Sequence, residues 1–483
     1  MHKQADGKFQ TDVGQNRFIY PDYQALPEKL FSLEMLNRTT STLFSWQQAP
    51  GAFGGIHLHA CWGISSALTR RYHGQSIWMT HALLKGAMQL FEITHENRWR
   101  LLAGELVMNV IFLKLPGGGF QHTSGEFEPT YDGTGAPIHQ CFPLLGILDY
   151  AAWPHRDPLI AQEIRPAIDA HWQWLQSYWW RRGNTFINPL DHPGWCGVTN
   201  QDVVAIASLA LYGKVYGDYS RYEQFGKPAL DVFISPRYYH ARMGMFERGD
   251  EANFVERVSY NGVIIPMLEL IAGCTGDNRL PPVADKVTRR LFDAVFVHSD
   301  KLHHLAWGAS TDPVDKSKVT GWMYKPITFS SYPELLLIMD KFLSKCPDAA
   351  LEEKKQKLER TLAAYLFHDG TIPTALNTEP LFSVVANPGA ILGMWLYLIE
   401  KQKNNITTLA LNNNVVIHRQ CKGVCWKSNG KVWSIEKDGQ RLFAGHKQGA
   451  HNVVVGHAAD IPQADLRELD ATPIVEEIRG DAG

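Results

Sequence analysis

Acidic, aromatic and amide side chains are dense between residues 191 and 202 of this 483-residue chain. The residues concerned are Asp191, His192, Trp195, Asn200, Gln201 and Asp202. Solvated loops more often carry lysine, serine and glycine, so this density favours a binding or catalytic site. Aromatic rings pack on the C–H faces of sugars, carboxylates and amides bind hydroxyl groups, and two acids can transfer protons. The stretch therefore predicts a carbohydrate site.

Four further stretches carry the same residue types and complete the candidate site. The first two contribute His57, His59, Trp62, Arg71, Tyr72, Glu128, Tyr131, Asp132 and His139. The other two contribute Glu256, Arg257, Tyr260, Asn261, Trp307, Trp322, Tyr324 and Lys325, with Glu334 a turn into the following helix. His57 and His59 resemble a metal-binding pair, but no third ligand is evident, so we expect no metal.

Short polar turns recur about every 60 residues and indicate the elements that position these side chains. Asn97, Asp157, Asp218 and Asp277 each lie in such a turn, at spacings of 60, 61 and 59 residues. A regular period of this size marks a repeated supersecondary unit. An apolar, small-residue helix precedes each turn and a more amphipathic helix follows it, so the Asp or Asn is expected to cap the second helix.

Counting these helices predicts an all-α architecture, the (α/α)6 toroid. Apolar helices are expected near 74–94, 137–153, 199–217, 259–275, 328–345 and 386–402. Amphipathic helices are expected near 27–45, 97–114, 157–180, 219–233, 279–294 and 349–367. Helices that are apolar all round are buried ones, so the first set forms the inner ring. The helix near 27–45 precedes its first partner and is expected to close the ring against 386–402.

The last part of the chain has a different pattern. After about residue 412, short β-type segments alternate with turns such as Asn429-Gly430 and Asp438-Gly439, which favour hairpins. We therefore divide the chain into a toroid over residues 1–411 and a small β-rich extension over 412–483. The extension is expected to pack on the toroid, because about 70 residues make a thin independent sheet.

The repeated turns also carry a resemblance to known enzymes. The helix–Thr275-Gly276-Asp277–helix pattern, its counterpart at Tyr216-Gly217-Asp218 and the Asp369-Gly370 loop resemble the six-hairpin (α/α)6 toroid carbohydrate-active enzymes, over roughly residues 27–402. These are glycosidases, polysaccharide lyases and sugar epimerases. The resemblance implies a funnel at the long-loop face that binds substrate. No catalytic motif matches residue for residue, so the chemistry must be argued from the residues present.

Glycoside hydrolysis is the first reaction that these residues suggest. Long loops lead into the N-termini of the inner helices, whose dipoles favour negative charge. Asp202 and Glu128 are the preferred acid and base, followed by Asp191 and Glu256, and an inverting pair would lie about 6.5–9.5 Å apart. Asp202 stands just inside an apolar helix, where burial would raise its pKa. As a plain helix-terminal residue it would only stabilise the helix.

Two other reactions remain open. A polysaccharide lyase acting on a uronate needs a group that neutralises the carboxylate, a base and an acid, for which His192, Asn200, Arg257 and Tyr260 are available. A sugar epimerase using paired histidines has His57, His139, His192 and His304 available.

Composition excludes several other classes of protein. A net charge of −2 without a basic run argues against nucleic-acid binding. The sequence has no uninterrupted apolar stretch of about 18 residues, so we expect no membrane span. The sequence has no GxxxxGK[ST] loop and no strand-coupled GxGxxG, so no cofactor is expected. Seven scattered cysteines without a CxxC pair and a polar N-terminus favour a cytoplasmic protein.

Overall fold

The computed structural model describes most of the helical part of the chain and much of the C-terminal β-rich part. The residues described are 2–3, 9–11, 18–20, 30–45, 47–53, 79–120, 137–177, 179–180, 185–186, 197–250, 254–298, 301–315, 318–324, 327–329, 331–376, 383–384, 386, 388–412, 415, 417–421, 423–429, 432–448, 451–455, 463–471 and 476–477.

Six helices of the described residues form the inner layer. They are α2 (Thr80–Thr94), α4 (Pro137–Ala152), α6 (Thr199–Tyr216), α8 (Asn261–Thr275), α10 (Tyr332–Lys345) and α12 (Pro388–Gln402). Consecutive members pack on one another around the ring, and α12 packs on α2. In α6 every residue from Thr199 to Gly213 is buried, as expected of a helix with neighbours on all sides.

The outer layer of the described residues follows the second predicted series. Its helices are α1 (Leu33–Ser45), α3 (Asn97–Phe112), α5 (Pro158–Ser177), α7 (Lys227–Phe233), α9 (Leu280–Leu291) and α11 (Ala349–Ala364). In α9 the buried residues include Leu280, Ala284, Val287 and Leu291, which form one stripe at helical spacing. The charged residues Lys286 and Arg289 of the same helix are exposed, so the predicted inner and outer assignments are confirmed.

The first outer helix closes the ring. Helix α1 packs on α12, and Trp395 Nε1 donates a hydrogen bond to Thr40 Oγ1 at 3.0 Å. Gln402 Nε2 donates to the backbone oxygen of Phe31 at 2.5 Å. The predicted contact between the first and last helices is therefore confirmed.

Asp157, Asp218 and Asp277 accept backbone N–H groups as the sequence predicts. The prediction is wrong at Asn97, because α3 begins at that residue and its N-cap, Glu96, makes no side-chain capping bond. Asp157 Oδ1 accepts a hydrogen bond from the backbone N–H of Leu159, and Asp277 Oδ1 accepts one from that of Arg279. Gly217 and Gly276 end their helices with φ of 70° and 73°, a conformation that glycine adopts without steric cost. Asp157 and Asp277 therefore serve helix termini on the face opposite the long loops.

Helix α10 begins four residues later than expected. Thr328, the expected first residue, belongs instead to strand β14 (Ile327–Thr328), which pairs with β15 (Ala375–Leu376) in the loop after α11. Ser331 then takes a left-handed backbone, with φ of 60°, immediately before the helix. Pairing with a distant strand overrides the local helical preference here.

Short hairpins connect most of the helices. Strands β1 (His2–Lys3), β2 (Phe9–Thr11) and β3 (Phe18–Tyr20) form a small sheet near the N-terminus, and the other pairs are two-stranded. Those pairs are β4 (Gln47–Ala49) with β5 (Ala52–Phe53), β6 (Trp179–Trp180) with β7 (Thr185–Phe186), β8 (Tyr239–His240) with β9 (Met245–Phe246), β10 (Val295–Val297) with β11 (His303–Leu305), and β12 (Gly308–Thr311) with β13 (Val319–Met323).

A six-stranded sheet comes after the helical ring. Its order is β20-β19-β18-β17-β16-β21, antiparallel except for the β16–β21 pair. The strands are β16 (Ile417–Cys421), β17 (Val424–Ser428), β18 (Val432–Lys437), β19 (Gln440–Gln448), β20 (His451–Val455) and β21 (Glu476–Glu477), with helix α13 (Gln463–Asp470) before the last.

One buried arginine joins this sheet to the ring. Arg419 on β16 is 1% exposed and forms an ion pair with Asp369 at 2.5 Å. Its guanidinium also donates hydrogen bonds to Thr371 Oγ1 and to the backbone oxygen of Val384. Asp369 and Thr371 lie in the long loop after α11, so the sheet contacts the loop face of the ring through this pair.

The segment Val258–Thr275, most of which is α8, is long and apolar enough to span a membrane by length and composition alone. It packs between α6 and α10 as part of the inner ring, a position that explains its apolar composition equally well.

Candidate active site

Twelve of the predicted site residues lie outside the described residues. They are His57, His59, Trp62, Arg71, Tyr72, Glu128, Tyr131, Asp132, Asp191, His192, Trp195 and Lys325. The others can be placed.

The starts of α6 and α8 share a buried polar cluster. Glu256 is 1% exposed, and its Oε2 accepts hydrogen bonds from Arg248 Nη1 and Thr199 Oγ1, both at 3.0 Å. Its Oε1 accepts the backbone N–H of Arg257 at 2.8 Å. Arg248 Nη1 also donates to Asn200 Oδ1 at 2.5 Å. Since these donors already bind the Glu256 carboxylate, its geometry suits a group that positions the two helix starts.

Arg257 lies between two aromatic rings beside this cluster. Its guanidinium carbon is 5.2 Å from the ring centre of Tyr260 and 4.8 Å from that of Trp307. Arg257 Nη1 donates to Tyr260 Oη at 3.2 Å. Two predicted binding residues, Arg257 and Trp307, and the predicted catalytic residue Tyr260 thus lie together although they span about 50 positions of the sequence.

Asn261 and Gln201 belong to the same helix starts. Asn261 is buried, and its Nδ2 donates to the backbone oxygens of Arg257 and Val258 at 3.3 and 3.2 Å. The side chain therefore fixes the turn that leads into α8. Gln201 is buried in the first turn of α6.

Asp202 lies in the same turn of α6 and is 3% exposed. Burial raises its pKa well above the usual range, the backbone N–H of Phe186 lowers it, and the nearby charge of Asp250 raises it further. Within the described ranges, its enclosed Oδ1 has no hydrogen-bond partner. Arg237 and Tyr238, which lie nearby, donate their hydrogen bonds to Asp250. The predicted rise in the pKa is confirmed, and the catalytic role of Asp202 stays a prediction.

Replacing Asp202 with Asn is expected to stabilise the protein increasingly as the pH rises. The acid is favoured when protonated, so its contribution to stability is present below its unfolded pKa and is lost as the pH rises through the folded pKa. Each unit between the two pKa values is worth about 1.4 kcal/mol. Urea unfolding of both proteins between about pH 5 and pH 8 measures the difference. A constant loss of about 0.5–2 kcal/mol would instead identify a plain capping residue.

Turnover of the same variant tests the chemical role of Asp202. A loss of about two to four orders of magnitude with an intact fold would identify it as an acid or base. Retained turnover would limit Asp202 to a structural role.

Glu334, in the first turn of α10, is the carboxyl group that best meets the requirements of an acid catalyst. Glu334 is partly exposed, but its Oε2 is enclosed and has no hydrogen-bond partner among the described residues. Burial raises its pKa to about 7, while its own backbone N–H and the charge of Lys85 lower it. The carboxylate lies against Gly393 of α12, where a Cβ would overlap both oxygens. Three inner helices, α10, α12 and α2, therefore supply its surroundings.

The sequence analysis predicted that Glu334 lies next to the site but did not include it among the candidate acids. The omission has a physical cause, because the burial that raises its pKa comes from α12 and α2, which are far away in the sequence. The left-handed backbone of Ser331 is a second unusual feature of this helix start, at a cost of about 1–3 kcal/mol. Strain of this kind concentrates at functional sites.

Helix α2 presents a histidine and a lysine on the same face, one turn apart. Lys85 is exposed and His81 is partly buried. His81 stacks on Phe142 of α4 with ring centres 5.8 Å apart, and its Nε2 lies 3.6 Å from Asp149 Oδ2. The predicted binding residue His139 is partly buried one turn before Phe142. His81 was absent from the predicted site.

Two other predicted aromatic residues lie apart from the Arg257 stack. Trp322 lines a small pocket together with Glu256 and Asn261, on the side of outer helix α9. Tyr324 packs on Phe296 with ring centres 4.6 Å apart.

His304 also lies in the outer part of the molecule. It is fully buried near the aromatic rings of Phe296, Phe329 and Tyr365. This placement removes one of the four histidines that an epimerase reaction could use. Among the described residues, no group of three or more His, Cys, Asp or Glu side chains is arranged to bind a metal ion.

Solved structures with the same architecture are numerous. A cellobiose 2-epimerase from Bacillus thermoamylovorans B4167 matches with a TM-score of 0.56 at 12% identity, over 76% of this chain and 99% of that one. A D-mannose isomerase matches at 0.54 and 12%, over 77% and 97%. An unsaturated glucuronyl hydrolase specific for heparin matches at 0.50 and 8%, over 80% and 99%.

No protein-family model matches the sequence, and no curated protein is similar to it. The structural likeness, at these low identities, establishes the fold.

Proposed function

We propose that this chain, which has the (α/α)6 toroid fold found in those sugar epimerases, isomerases and glycosidases, is a carbohydrate-active enzyme that hydrolyses a glycosidic bond. The observation that carries the proposal is the carboxyl group of Glu334. Its pKa of about 7 keeps a substantial fraction protonated at neutral pH. A general acid works best when its pKa lies near the working pH.

Glu334 would act as the acid of the reaction. Its proton passes to the glycosidic oxygen as the bond to the anomeric carbon breaks, so the leaving sugar departs as an alcohol. The carboxylate that remains is stabilised by the positive charge of Lys85, which already lowers the pKa of Glu334.

A second group must activate the water that attacks the anomeric carbon. The sequence offers Glu128 and Asp191 for this role, and both lie outside the described residues. An inverting enzyme needs the two carboxyl groups about 6.5–9.5 Å apart. The assignment of the base to either of them stays a prediction.

A structural role for Glu334 is the alternative explanation of its burial. A buried carboxyl oxygen without a hydrogen bond is costly, by about 1–3 kcal/mol. A left-handed serine at the same helix start adds a further cost. A residue serving stability alone would be replaced at little loss by an apolar side chain, so these costs favour a functional group.

Mass spectrometry of an oligosaccharide panel tests the reaction. After incubation with the protein, hydrolysis is expected to give fragments whose summed mass exceeds the substrate by one water. Heat-inactivated protein is the control. Fragments without added water that absorb ultraviolet light would indicate elimination, and an unchanged mass with altered configuration would indicate epimerisation. Either of those results would replace hydrolysis as the proposed reaction.

Elimination is the second candidate, because one observation favours it. Asn200, Arg257 and Tyr260, three of the four residues expected of a lyase, are linked through Arg248, which binds Asn200 and lies 5.0 Å from the Tyr260 ring centre. The fourth, His192, lies outside the described residues. Tyrosine is one of the side chains that can act as an acid or base in such a reaction.

A further inference from the structure

We propose that Arg257, held between Tyr260 and Trp307, binds the carboxylate of an acidic sugar, so that the substrate is a uronate-containing glycan. That the acidic sugar is turned over rests on the function proposed above. The binding site itself does not, because it is defined by the contacts of Arg257.

The charge of Arg257 has little compensation from the protein. Within the described part of the chain, its guanidinium makes one hydrogen bond, to Tyr260 Oη, and no ion pair. Its Nε is enclosed without a partner. A partly buried cation costs free energy unless an anion or several hydrogen bonds compensate it.

Arg248 shows what compensation looks like in the same cluster. Its Nη1 pairs with Glu256 Oε2 at 3.0 Å and with Asn200 Oδ1 at 2.5 Å. Glu256 Oε1 accepts a hydrogen bond from the backbone N–H of Arg257, not from its guanidinium, and Glu256 Oε2 accepts hydrogen bonds from Arg248 and Thr199. The guanidinium of Arg257 is therefore positioned for an anion supplied from outside this cluster.

The shape of the guanidinium and its neighbours indicates the kind of anion. A guanidinium offers two parallel N–H groups that match a planar carboxylate, and two aromatic rings lie within 5.2 Å of the guanidinium carbon of Arg257. Trp307 Nε1 is enclosed and has no hydrogen-bond partner among the described residues, so it supplies a further donor beside the stack. The start of α8 adds positive potential there. A neutral sugar would need none of this charge.

The stack lies close to the proposed acid in the ring. Arg257 and Tyr260 immediately precede α8, and Gly262 of that helix touches the start of α10, where a Cβ on Gly262 would lie 3.0 Å from Cβ of Ser331. Glu334 comes three residues later. An acidic sugar at Arg257 is therefore bound one inner helix away from the proposed acid.

The test compares uronate oligosaccharides with their carboxyl-reduced counterparts. Oligogalacturonate and glucuronate-containing oligosaccharides are titrated calorimetrically into the Glu334→Gln protein, which removes turnover from the measurement. We expect binding at least about tenfold tighter than for the reduced sugars, a preference that charge-assisted bidentate bonds supply. The preference should weaken as salt is added.

Variants of Arg257 locate that preference. Arg257→Gln is expected to abolish this preference for uronates while leaving the affinity for reduced sugars within about twofold. Arg257→Lys is expected to retain part of the preference, because lysine keeps the positive charge but lacks the two parallel N–H groups of the guanidinium. Arg290→Gln is the matched control, since Arg290 also lies against a tryptophan, 5.6 Å from the ring centre of Trp322, but pairs with Asp293 at 2.5 Å. It should leave the preference unchanged.

Several results would overturn the proposal. They are equal binding of uronates and reduced sugars, a preference that survives in a folded Arg257→Gln protein, and equally tight binding of sulfated neutral sugars, which would indicate a general anion site. Thermal melting checks that the variants are folded. If Arg257→Gln is misfolded, the uronate preference of Arg257→Lys decides the test. Because binding is the readout, absence of hydrolysis in the panel would reject the proposed reaction without affecting this result.

Discussion

Replacing Glu334 with Gln is expected to remove about two to four orders of magnitude in turnover and to leave the melting temperature at or above that of the wild type. The amide has the same shape but cannot donate a proton to the leaving group. The burial that raises the pKa of Glu334 to about 7 makes its contribution to stability greatest in acid. That contribution is lost as the pH rises through about 7, a loss that the Gln variant avoids.

Steady-state rates on a substrate from the panel, with calorimetric melting of both proteins, measure the two effects. Glu269→Gln is the matched control, because Glu269 is also an inner-helix carboxylate but forms an ion pair with Lys341 at 2.7 Å. It should retain turnover within about twofold. A Glu334→Gln enzyme with nearly normal turnover would remove Glu334 from the chemistry and return the assignment to Asp202.

Replacing Arg419 with Ala is expected to lower the free energy of unfolding by about 3–5 kcal/mol. The change leaves Asp369, which is 8% exposed, without the arginine that pairs with it at 2.5 Å. It also removes the guanidinium packed 3.9 Å from the ring centre of Phe367. Breaking one side of a buried ion pair costs more than the pair itself contributes, because a buried charge remains.

Urea unfolding measures the loss. Lys403→Ala is the control, since Lys403 pairs with Glu400 on the surface, where an ion pair is worth about 0–1 kcal/mol. A loss below about 1 kcal/mol for Arg419→Ala would show that the pair does not hold the sheet to the ring.

Much of the ring could be predicted from the sequence because its determinants are local. Apolar stretches such as 199–216, the capping residues Asp157 and Asp277, and a regular turn spacing each depend on residues within a few turns of one another. Local capping and periodicity carry over directly into structure. Helix α10 begins four residues after its expected start because strand β14 pairs with β15, about 50 positions later.

The candidate site was less predictable because its chemistry comes from residues far apart in the chain. Glu334 has its raised pKa because Gly393 admits it against α12, a contact that spacing does not reveal. Arg257 and Trp307 meet because the backbone N–H of Val258 donates to the oxygen of Trp307 at 2.9 Å. The sequence identified most residue types that a sugar site needs, but their partners depend on this tertiary packing.

The carboxyl group of Glu334 can be titrated directly, without knowledge of the substrate. Carbon-detected NMR of protein labelled at the glutamate carboxyl carbon, with the Glu334→Gln variant to assign the resonance, gives its pKa. We expect a titration near 7, which burial among α10, α12 and α2 produces. A Glu334 resonance titrating near the ordinary glutamate value of 4.5 would contradict the proposal that this residue is the acid in the ring.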